Sequence, residues 1–448
     1  MENLIRDILK EIFDNLNLKY QIRLIQTNKF FNLIPITDFW NIGQIFHDKI
    51  NNKILLNYPD IEKLRFKEIE RTIKNVSHLT KLKEFEYNNY FRSGKKVSNS
   101  DIKSLNLSKL YATSSLFNDI SHMTNLKVLK CDVVSNISDE DIKNLNLTKL
   151  DAAGNSKIKN ISHLTNLKVL NCSGHCGVSD EDIKNLNLIE LNAYNNEKIT
   201  NIYHLTNLKV LNCGEDCGIT FINNISLTKL IMINKTNITN INHLTNLKVL
   251  NCSHSSKISE DDIKNLDLRE LYMNGTTSIK NLNNFTNLKI LHCFEISEYS
   301  INVTDDDIKN LDLIELYTDN PKIKNINHMT NLKVLYCTCK SKISDENIKN
   351  LTNLEKLCCN TNIKNINHLT KLRVLQCEGN SIRNKNIKNL KLEELSISSN
   401  SMIIKISHLT NLKTLFNYKK FSKDDIKNLN FLENYLCSYK KINREKYN

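Results

Sequence analysis

Cysteine is the residue of this chain whose number and spacing most suggest chemistry. The 448-residue sequence holds 13 cysteines, and two C-x-x-x-C pairs occur among them, Cys172 with Cys176 and Cys213 with Cys217. Seven recur about 40 residues apart within a repeated segment: Cys131, Cys172, Cys213, Cys252, Cys293, Cys337 and Cys377. Thiolates can bind zinc or form disulfides. The alternative is that each thiol is a small apolar core residue.

Histidine follows the same rhythm. Eight histidines, with Asn284 in the ninth position, lie 39 to 44 residues apart: His78, His122, His163, His204, His243, His328, His368 and His408. Imidazole can ligate metals or transfer protons, but no nucleophile, carboxylate pair or glycine-rich phosphate loop recurs beside this row. We therefore predict a structural role for the histidines and assign no catalytic, cofactor-binding or metal-binding residue. The chain is expected to bind another macromolecule and not to be an enzyme.

Both rows belong to one repeat of about 40 residues that occurs nine times. Each repeat contains two coils, represented by LKVLNC at 167–172 and LTKLDAAGN at 147–155. This pattern, L-x-x-L-x-L-x-x-N/C-x-L, resembles the leucine-rich-repeat family from about Ile61 to near the C-terminus. The resemblance implies an α/β leucine-rich-repeat solenoid, with parallel strands on the concave face and short helices and turns on the convex face.

The predicted strands favour one interpretation of the cysteines. Residues alternate in direction along a strand, and stacked coils form a parallel sheet with about 4.8 Å between strands. Successive cysteines of the row are separated by an intervening coil, so they should lie about 10 Å apart, too far for a disulfide or a shared zinc ion. We predict a buried ladder of thiols, in which Cys337, Cys359 and Cys377 come closer because their coils are consecutive. His175 stands at the family's cysteine position, with Cys176 shifted by one.

The return from the first coil of a repeat should be a short, capped helix on the convex side. Ser138 precedes three acidic residues, and the S/T-x-x-D pattern that caps a helix recurs four more times, at Ser179/Asp182, Ser259/Asp262, Thr304/Asp307 and Ser422/Asp425. The second coil is shorter, so its return should be extended. Residues 216–224 lack the acidic cap, and residues 294–304 contain an insertion expected to form a convex or rim loop. The predicted domains are a helical domain at 1–45, a linker at 46–60 and a solenoid of about nine double repeats at 61–448.

The N-terminal segment has a different pattern. One face of a predicted amphipathic helix carries Leu4, Ile5, Ile8, Leu9, Ile12, Phe13 and Leu16. With Lys29-Phe30-Phe31 and Phe39-Trp40, this segment resembles the F-box motif, although Ile5 stands where the family has proline. The resemblance implies that a Skp1-like subunit of a cullin ubiquitin ligase is bound by Leu4, Ile8, Leu9, Ile12, Phe13 and Leu16. The solenoid would then hold a protein substrate. The alternative is a helical cap over the first repeat.

Charge and composition leave nucleic acid as a further alternative. The formal net charge is +13, and a basic ladder follows the first leucine of alternate coils: Lys83, Lys127, Lys168, Lys209, Lys248, Lys289, Lys333, Arg373 and Lys413. Such a row could contact phosphates, but acidic residues are interleaved with it, which favours a solvated rim. The chain has no 18-residue apolar run and no evident secretory signal. Its composition is similar to that of repeat proteins from giant viruses of amoebae, which implies the host cytoplasm and no membrane.

The residue type at the outward strand positions varies from coil to coil, whereas the core positions repeat the same residue types. Four aromatic or imidazole side chains follow one another on consecutive coils, Tyr272, His292, Tyr317 and Tyr336. Tyrosines in a row on the concave face of a solenoid are typical of a partner-binding surface, and Asn274 and Asp319 should flank them. The alternative is that the rings pack across strands to stabilise the sheet.

Overall fold

The computed structural model describes residues 38–39, 55–56, 59–67, 75–88, 97–113, 117–234, 238–255, 257–295, 301–338, 340–359, 362–379, 381–397, 402–417, 421–432, 434–437 and 440–441. The chain divides into two compact units, Met1–Ile219 and Thr220–Asn448. In both units short strands alternate with longer return segments, so the fold is a parallel-strand solenoid.

The first unit is a parallel stack of short strands. In chain order they are β1 (Asp38–Phe39), β2 (Lys63–Lys67), β3 (Glu84–Asn88), β4 (Lys109–Thr113), β5 (Val128–Lys130), β6 (Lys149–Asp151), β7 (Val169–Asn171), β8 (Glu190–Asn192) and β9 (Val210–Asn212). Each strand pairs in parallel with the next, and the central leucines are aligned, as with Leu150, Leu170 and Leu191. These leucines are buried because the L-x-L spacing sends them all to the same side of the sheet.

The second unit repeats this arrangement. Its strands are β10 (Lys229–Ile231), β11 (Val249–Asn251), β12 (Glu270–Tyr272), β13 (Ile290–Cys293), β14 (Glu315–Thr318), β15 (Val334–Cys337), β16 (Lys356–Cys359), β17 (Val374–Cys377), β18 (Glu394–Ile397), β19 (Thr414–Asn417), β20 (Asn434–Cys437) and β21 (Lys440–Lys441). From β10 to β20 the pairing is parallel, and β21 closes the unit with an antiparallel pairing to β20.

The helices of the return segments are single turns. They are α1 (Asn99–Ile102), α2 (Asp139–Ile142), α3 (Asp180–Ile183), α4 (Asp345–Ile348), α5 (Asn384–Ile387) and α6 (Lys423–Ile426), with 3₁₀ turns at Glu260–Asp262 and Asp305–Asp307. At α3 the backbone N–H and the hydroxyl of Ser179 both donate to Asp182, at 2.8 and 2.7 Å. The predicted caps are thus formed, and residues 216–224 contain no helix. Because each helix is one turn, the fold is a β-solenoid with less helix than the predicted α/β class implies.

Buried asparagines join neighbouring coils inside the first unit. The Nδ2 group of Asn196 donates to the carbonyl oxygens of Cys172 and Val178, at 2.7 and 3.3 Å. Asn155 makes the corresponding bonds to Cys131 and Ile137, at 2.9 and 3.0 Å. These amides satisfy backbone carbonyls in the core, which would otherwise be buried without a donor.

The N-terminal predictions lie almost wholly outside the described residues. The F-box residues Leu4, Ile8, Leu9, Ile12, Phe13 and Leu16 are among these undescribed positions, so the helical domain and its boundaries stay predictions. The exception is β1, whose residues Asp38 and Phe39 pair in parallel with Lys63 and Leu64 of β2. Phe39 belongs to the aromatic pair of the F-box resemblance, and its backbone continues the parallel stack of the first unit.

Candidate partner-binding face

The four predicted side chains of the second unit form one stacked row. The strand register places Tyr272 beside His292, His292 beside Tyr317, and Tyr317 beside Tyr336. Successive ring centroids are 4.5, 3.9 and 6.0 Å apart, within or close to the range of offset aromatic contacts. All four side chains are partly exposed on the outward face of the sheet. Tyr272, His292, Tyr317 and Tyr336 are called the aromatic row below.

Two glutamates accept the hydroxyls of two of the three tyrosines in the aromatic row. The hydroxyl of Tyr272 donates to Glu270 and that of Tyr317 donates to Glu315, each at 3.0 Å. Burial and then these hydrogen bonds raise the pKa of both tyrosines to about 12. Each glutamate lies two residues before its tyrosine, so both side chains are on the same side of the strand.

His292 is stacked within the aromatic row and is uncharged at neutral pH. Its ring is nearly parallel to that of Tyr317, with an interplanar angle of 14°, and Tyr272 lies on the neighbouring strand at 33°. Burial lowers the pKa of His292 to about 4, because a partly desolvated site disfavours the imidazolium. At neutral pH the aromatic row therefore presents uncharged rings beside two carboxylates.

The predicted insertion begins at the edge of the aromatic row. Phe294 contacts Tyr336 edge to face, with ring centroids 5.5 Å apart, and its N–H donates to Asn274 at 2.9 Å. The next residue, Glu295, donates its N–H to Asp319 at 2.6 Å and pairs with Lys340 at 3.5 Å. The start of the insertion thus packs at the rim of the sheet, where Asn274 and Asp319 flank the row.

The strand position that follows Tyr336 on the next coil is buried. Cys358 follows Tyr336 in the strand register, yet only 4% of it is exposed. Its side chain lies between those of Tyr336 and Gln376 in the strand register. The series of exposed rings therefore ends at Tyr336.

Several outward residues of the first unit pair with one another. Arg65 and Glu86 form an ion pair at 2.6 Å, and Lys130 lies 3.5 Å from Asp151. Asn171 donates to the same aspartate at 2.8 Å. Since these charged and polar groups already have partners within the sheet, they are less available to bind another protein than the aromatic row is.

The cysteines form the predicted buried ladder. Of the cysteine side chains that the structure describes, 11 are buried thiols, and Cys337, Cys359 and Cys377 are direct neighbours in the strand register. Burial raises the pKa of Cys337 and Cys359 above the ordinary value. Within the described ranges, no group of three His, Cys, Asp or Glu side chains is arranged to hold a metal ion.

The histidine row bonds one coil to the previous one. In six of its eight histidines Nε2 donates to an isoleucine carbonyl oxygen about 20 residues earlier, as from His204 to Ile183 at 2.9 Å and from His368 to Ile348 at 3.0 Å. The same bond occurs at His163, His243, His328 and His408. Five of these six imidazoles satisfy a carbonyl at the end of a helical turn, and His243 satisfies that of Ile222 in a segment without helix. The bonds between coils are the structural role predicted for the row.

The basic ladder is largely paired with a neighbouring coil. In the second unit its members contact acids: Lys248 with Asp267 at 2.5 Å, Lys289 with Asp312 at 3.8 Å, Lys333 with Glu355 at 3.0 Å, Arg373 with Glu393 at 3.8 Å and Lys413 with Glu393 at 2.6 Å. In the first unit Lys127 and Lys168 donate to backbone carbonyls, each at 3.2 Å. The ladder therefore connects coils and is not an unpaired cationic surface.

Every helix in the described ranges is too short or too polar to cross a lipid bilayer.

Sequence reasoning found the aromatic row but missed three residues that surround it. Glu270 and Glu315 support the tyrosine hydroxyls, and Phe294 extends the ring contacts. The two glutamates could have been found from the period of two along the strand, since they share a face with the tyrosines. The position of Phe294 follows an insertion, where the repeat gives no register.

Comparisons with known proteins give structural likenesses only. No protein-family model matches the chain, and no curated protein does. An internalin (InlF) from Listeria monocytogenes is 20% identical with a TM-score of 0.36, covering 75% of this chain and 88% of the internalin. The functional domain of InlJ from the same organism, which includes a cysteine ladder, is 20% identical with a TM-score of 0.35. The match covers 78% of this chain and 75% of the InlJ domain. TLR13 in a complex with ssRNA13 is 16% identical with a TM-score of 0.41, covering 84% and 74%.

Proposed function

We propose that this chain is a protein-binding scaffold and that its partner contacts the aromatic row. The observation that carries the proposal is the stack of four rings on the outward face of β12 to β15. Several outward groups of the first unit pair among themselves, whereas the rings of the aromatic row are partly exposed.

The row is suited to binding because its rings are already ordered. Stacking and the hydroxyl bonds to Glu270 and Glu315 fix the side chains before a partner arrives. Tyrosine offers a large contact area with few rotatable bonds, and an ordered ring loses little entropy on association. Truncation of a tyrosine anchor typically costs about 2 kcal/mol or more of binding free energy.

Alanine substitution of the row tests this function. Tyr317→Ala and Tyr336→Ala should each reduce capture of the partner more than tenfold, with little change in melting temperature. The immobilised full chain and its variants are compared by quantitative mass spectrometry of proteins captured from amoebal lysate. Lys143→Ala and Lys184→Ala, on the return segments, are the controls and should change neither property. If the tyrosine variants melt early and capture the same proteins as the wild type, the row is sheet packing.

A second, finer function is an F-box adaptor that links the bound protein to a Skp1–cullin ubiquitin ligase. Its support is the sequence resemblance carried by Leu4, Ile8, Leu9, Ile12, Phe13 and Leu16. Replacing Ile8, Leu9 and Ile12 with aspartate should abolish co-purification with Skp1 and leave the circular dichroism of the solenoid unchanged. Tyr317→Ala is the matched control and should retain Skp1. A wild-type chain that does not bind Skp1 at micromolar concentration contradicts the adaptor role and leaves the scaffold role intact.

A further inference from the structure

Two carboxylates accompany the aromatic row across the sheet. Glu270 on β12 and Glu315 on β14 occupy the same register position, and Ile290 on β13 lies between them. Both glutamates are partly buried on the outward face. We refer to Glu270 and Glu315 as the carboxylate pair.

The carboxylate pair is not neutralised by the described residues. Neither member forms an ion pair with any of them, whereas other acids of the second unit do, such as Asp267 with Lys248 and Glu355 with Lys333. Each member accepts one tyrosine hydroxyl through Oε2. A carboxylate has about four acceptor sites, so each retains capacity for a further donor.

The neighbours of the pair in the strand register, Val249, Ile290 and Val334, are uncharged, and Lys229 and Lys356 hold the same position one strand farther out on either side. His292, which stacks with the tyrosines alongside, is uncharged because burial lowers its pKa to about 4. Ile290 and Val334 supply apolar surface at the same strand position. The charge of Glu315 also reaches Tyr272, where it contributes to the raised pKa of that hydroxyl. In a chain of net charge +13, this is a local anionic surface with aromatic edges beside it.

We propose that the carboxylate pair and the aromatic row together bind a basic protein segment with two cationic side chains about 10 Å apart. This inference rests on the proposed scaffold function and specifies its partner. The pair is separated by two strand steps, about 9.6 Å. In a polyproline II segment, residues i and i+3 lie on one face about 9.3 Å apart. Arginine fits best, because guanidinium binds carboxylate in two-point fashion and packs on aromatic rings.

Selection of peptides tests the inference with the full chain. A random 12-residue peptide library displayed on phage is selected on the immobilised wild-type protein. The enriched peptides should carry two Arg or Lys residues at positions i and i+3. Their affinity, measured by fluorescence anisotropy, should fall more than tenfold on Glu270→Gln and on Glu315→Gln, which keep an oxygen to accept the tyrosine hydroxyl. Glu394→Gln is the matched control, because Glu394 holds the same strand position on β18 beside Ser396, and it should change affinity less than twofold.

The outcomes separate this inference from the scaffold proposal. Two outcomes would contradict the cationic partner and leave the scaffold function intact. In the first, the peptides lose affinity on Tyr317→Ala but carry no pair of basic residues. In the second, they lose affinity on Tyr317→Ala but bind both glutamine variants as tightly as the wild type. Peptides whose affinity is also unchanged by Tyr317→Ala and Tyr336→Ala contradict both the cationic partner and the scaffold function. A selection that enriches no peptide, or tighter binding of a labelled 20-nucleotide RNA lost on the tyrosine variants, overturns the basic-segment proposal.

Discussion

The protonation of His292 makes the stability of the aromatic row depend on pH. Its folded-state pKa, about 4, lies below the ordinary value of 6.5, so the unfolded chain takes up the proton first as the pH falls. The stabilising contribution of the neutral imidazole is therefore complete above pH 6.5 and is lost progressively as the pH falls from 6.5 toward 4. Contact between neutral rings depends on this protonation state, since an imidazolium would have to be desolvated in the stack.

Replacing this histidine should flatten the acid side of the stability profile. In His292→Gln, the loss of unfolding free energy between pH 6.5 and 4 should be smaller than in the wild type by on the order of 1 kcal/mol. The full linkage value would be larger, but the ring is partly solvated and the effect is screened. Urea denaturation at several pH values measures the difference. Parallel profiles for the two proteins would show that the imidazole does not titrate in the stack.

The thiols should be unreactive in the folded protein. Burial raises the pKa of Cys131, Cys172 and Cys359 well above the ordinary value and that of Cys252 to about 12, and the thiolate is the reactive form. Of the 13 cysteines, 11 are buried, so no more than two should react quickly with a thiol reagent. All 13 should react quickly in denaturant. Stoichiometric zinc in fresh protein, or rapid labelling of the native chain, contradicts the buried ladder.

At the scale of the element, the coil depends on polar groups that bridge neighbours within the core. Only 2% of Asn196 is exposed. Besides the two carbonyls that it bonds, its Oδ1 accepts the N–H of Lys198 at 3.0 Å. One side chain therefore satisfies three backbone groups in two coils. Because parallel coils share no hairpin to fix their register, such bridges and the leucine ladder together keep adjacent coils aligned.

Removing that amide should loosen its coils. Asn196→Ala leaves three backbone groups of the core without this partner, and a buried unsatisfied group costs about 1–3 kcal/mol. We expect a loss of about 2 kcal/mol or more, measured by urea denaturation, with faster amide exchange near Cys172 and Val178. Asn207→Ala is the control, because its Nδ2 donates only to Asn187 on an exposed surface, at 2.9 Å. Equal effects of the two substitutions would mean that the buried bridge contributes no more than a surface bond.

Much of the element could be predicted, because the repeat states the same physical rule many times. The L-x-L spacing located the strands, and Ser179 with Asp182 located a capped turn. What the spacing could not give is how side chains of different coils meet. The stacking of His292 with its neighbours depends on rotamers and on which coils are adjacent, and so does the burial of Cys358. The length of a helical turn depends on tertiary packing more than on its cap, so the cap predicted where each turn begins but not that it ends after four residues.

At the scale of the whole molecule, the net charge of +13 does not by itself predict a nucleic-acid surface. Affinity for phosphates requires cations that are free to replace condensed counterions. Lys248, Lys333 and Lys413 of the basic ladder each have an acidic partner within 3.0 Å in the following or preceding coil. A phosphate would have to compete with these carboxylates at every step. The excess charge favours solubility and weak, salt-sensitive encounters.

Neutralising the ladder should therefore change nucleic-acid binding little. In the triple variant Lys248→Gln, Lys333→Gln and Lys413→Gln, the affinity for a labelled 20-nucleotide single strand should stay within twofold of the wild type at 50 and 150 mM salt. Each lost surface pair should reduce unfolding free energy by no more than about 1 kcal/mol, because all three lysines are partly exposed. Fluorescence anisotropy measures the first quantity and urea denaturation the second. If the ladder instead contacts phosphates, affinity falls at least tenfold and the salt dependence of log K weakens by about 2, since about 0.7 is contributed per phosphate on a single strand. That result would show that the ladder binds nucleic acid and that phosphates replace the acidic partners of its lysines on binding.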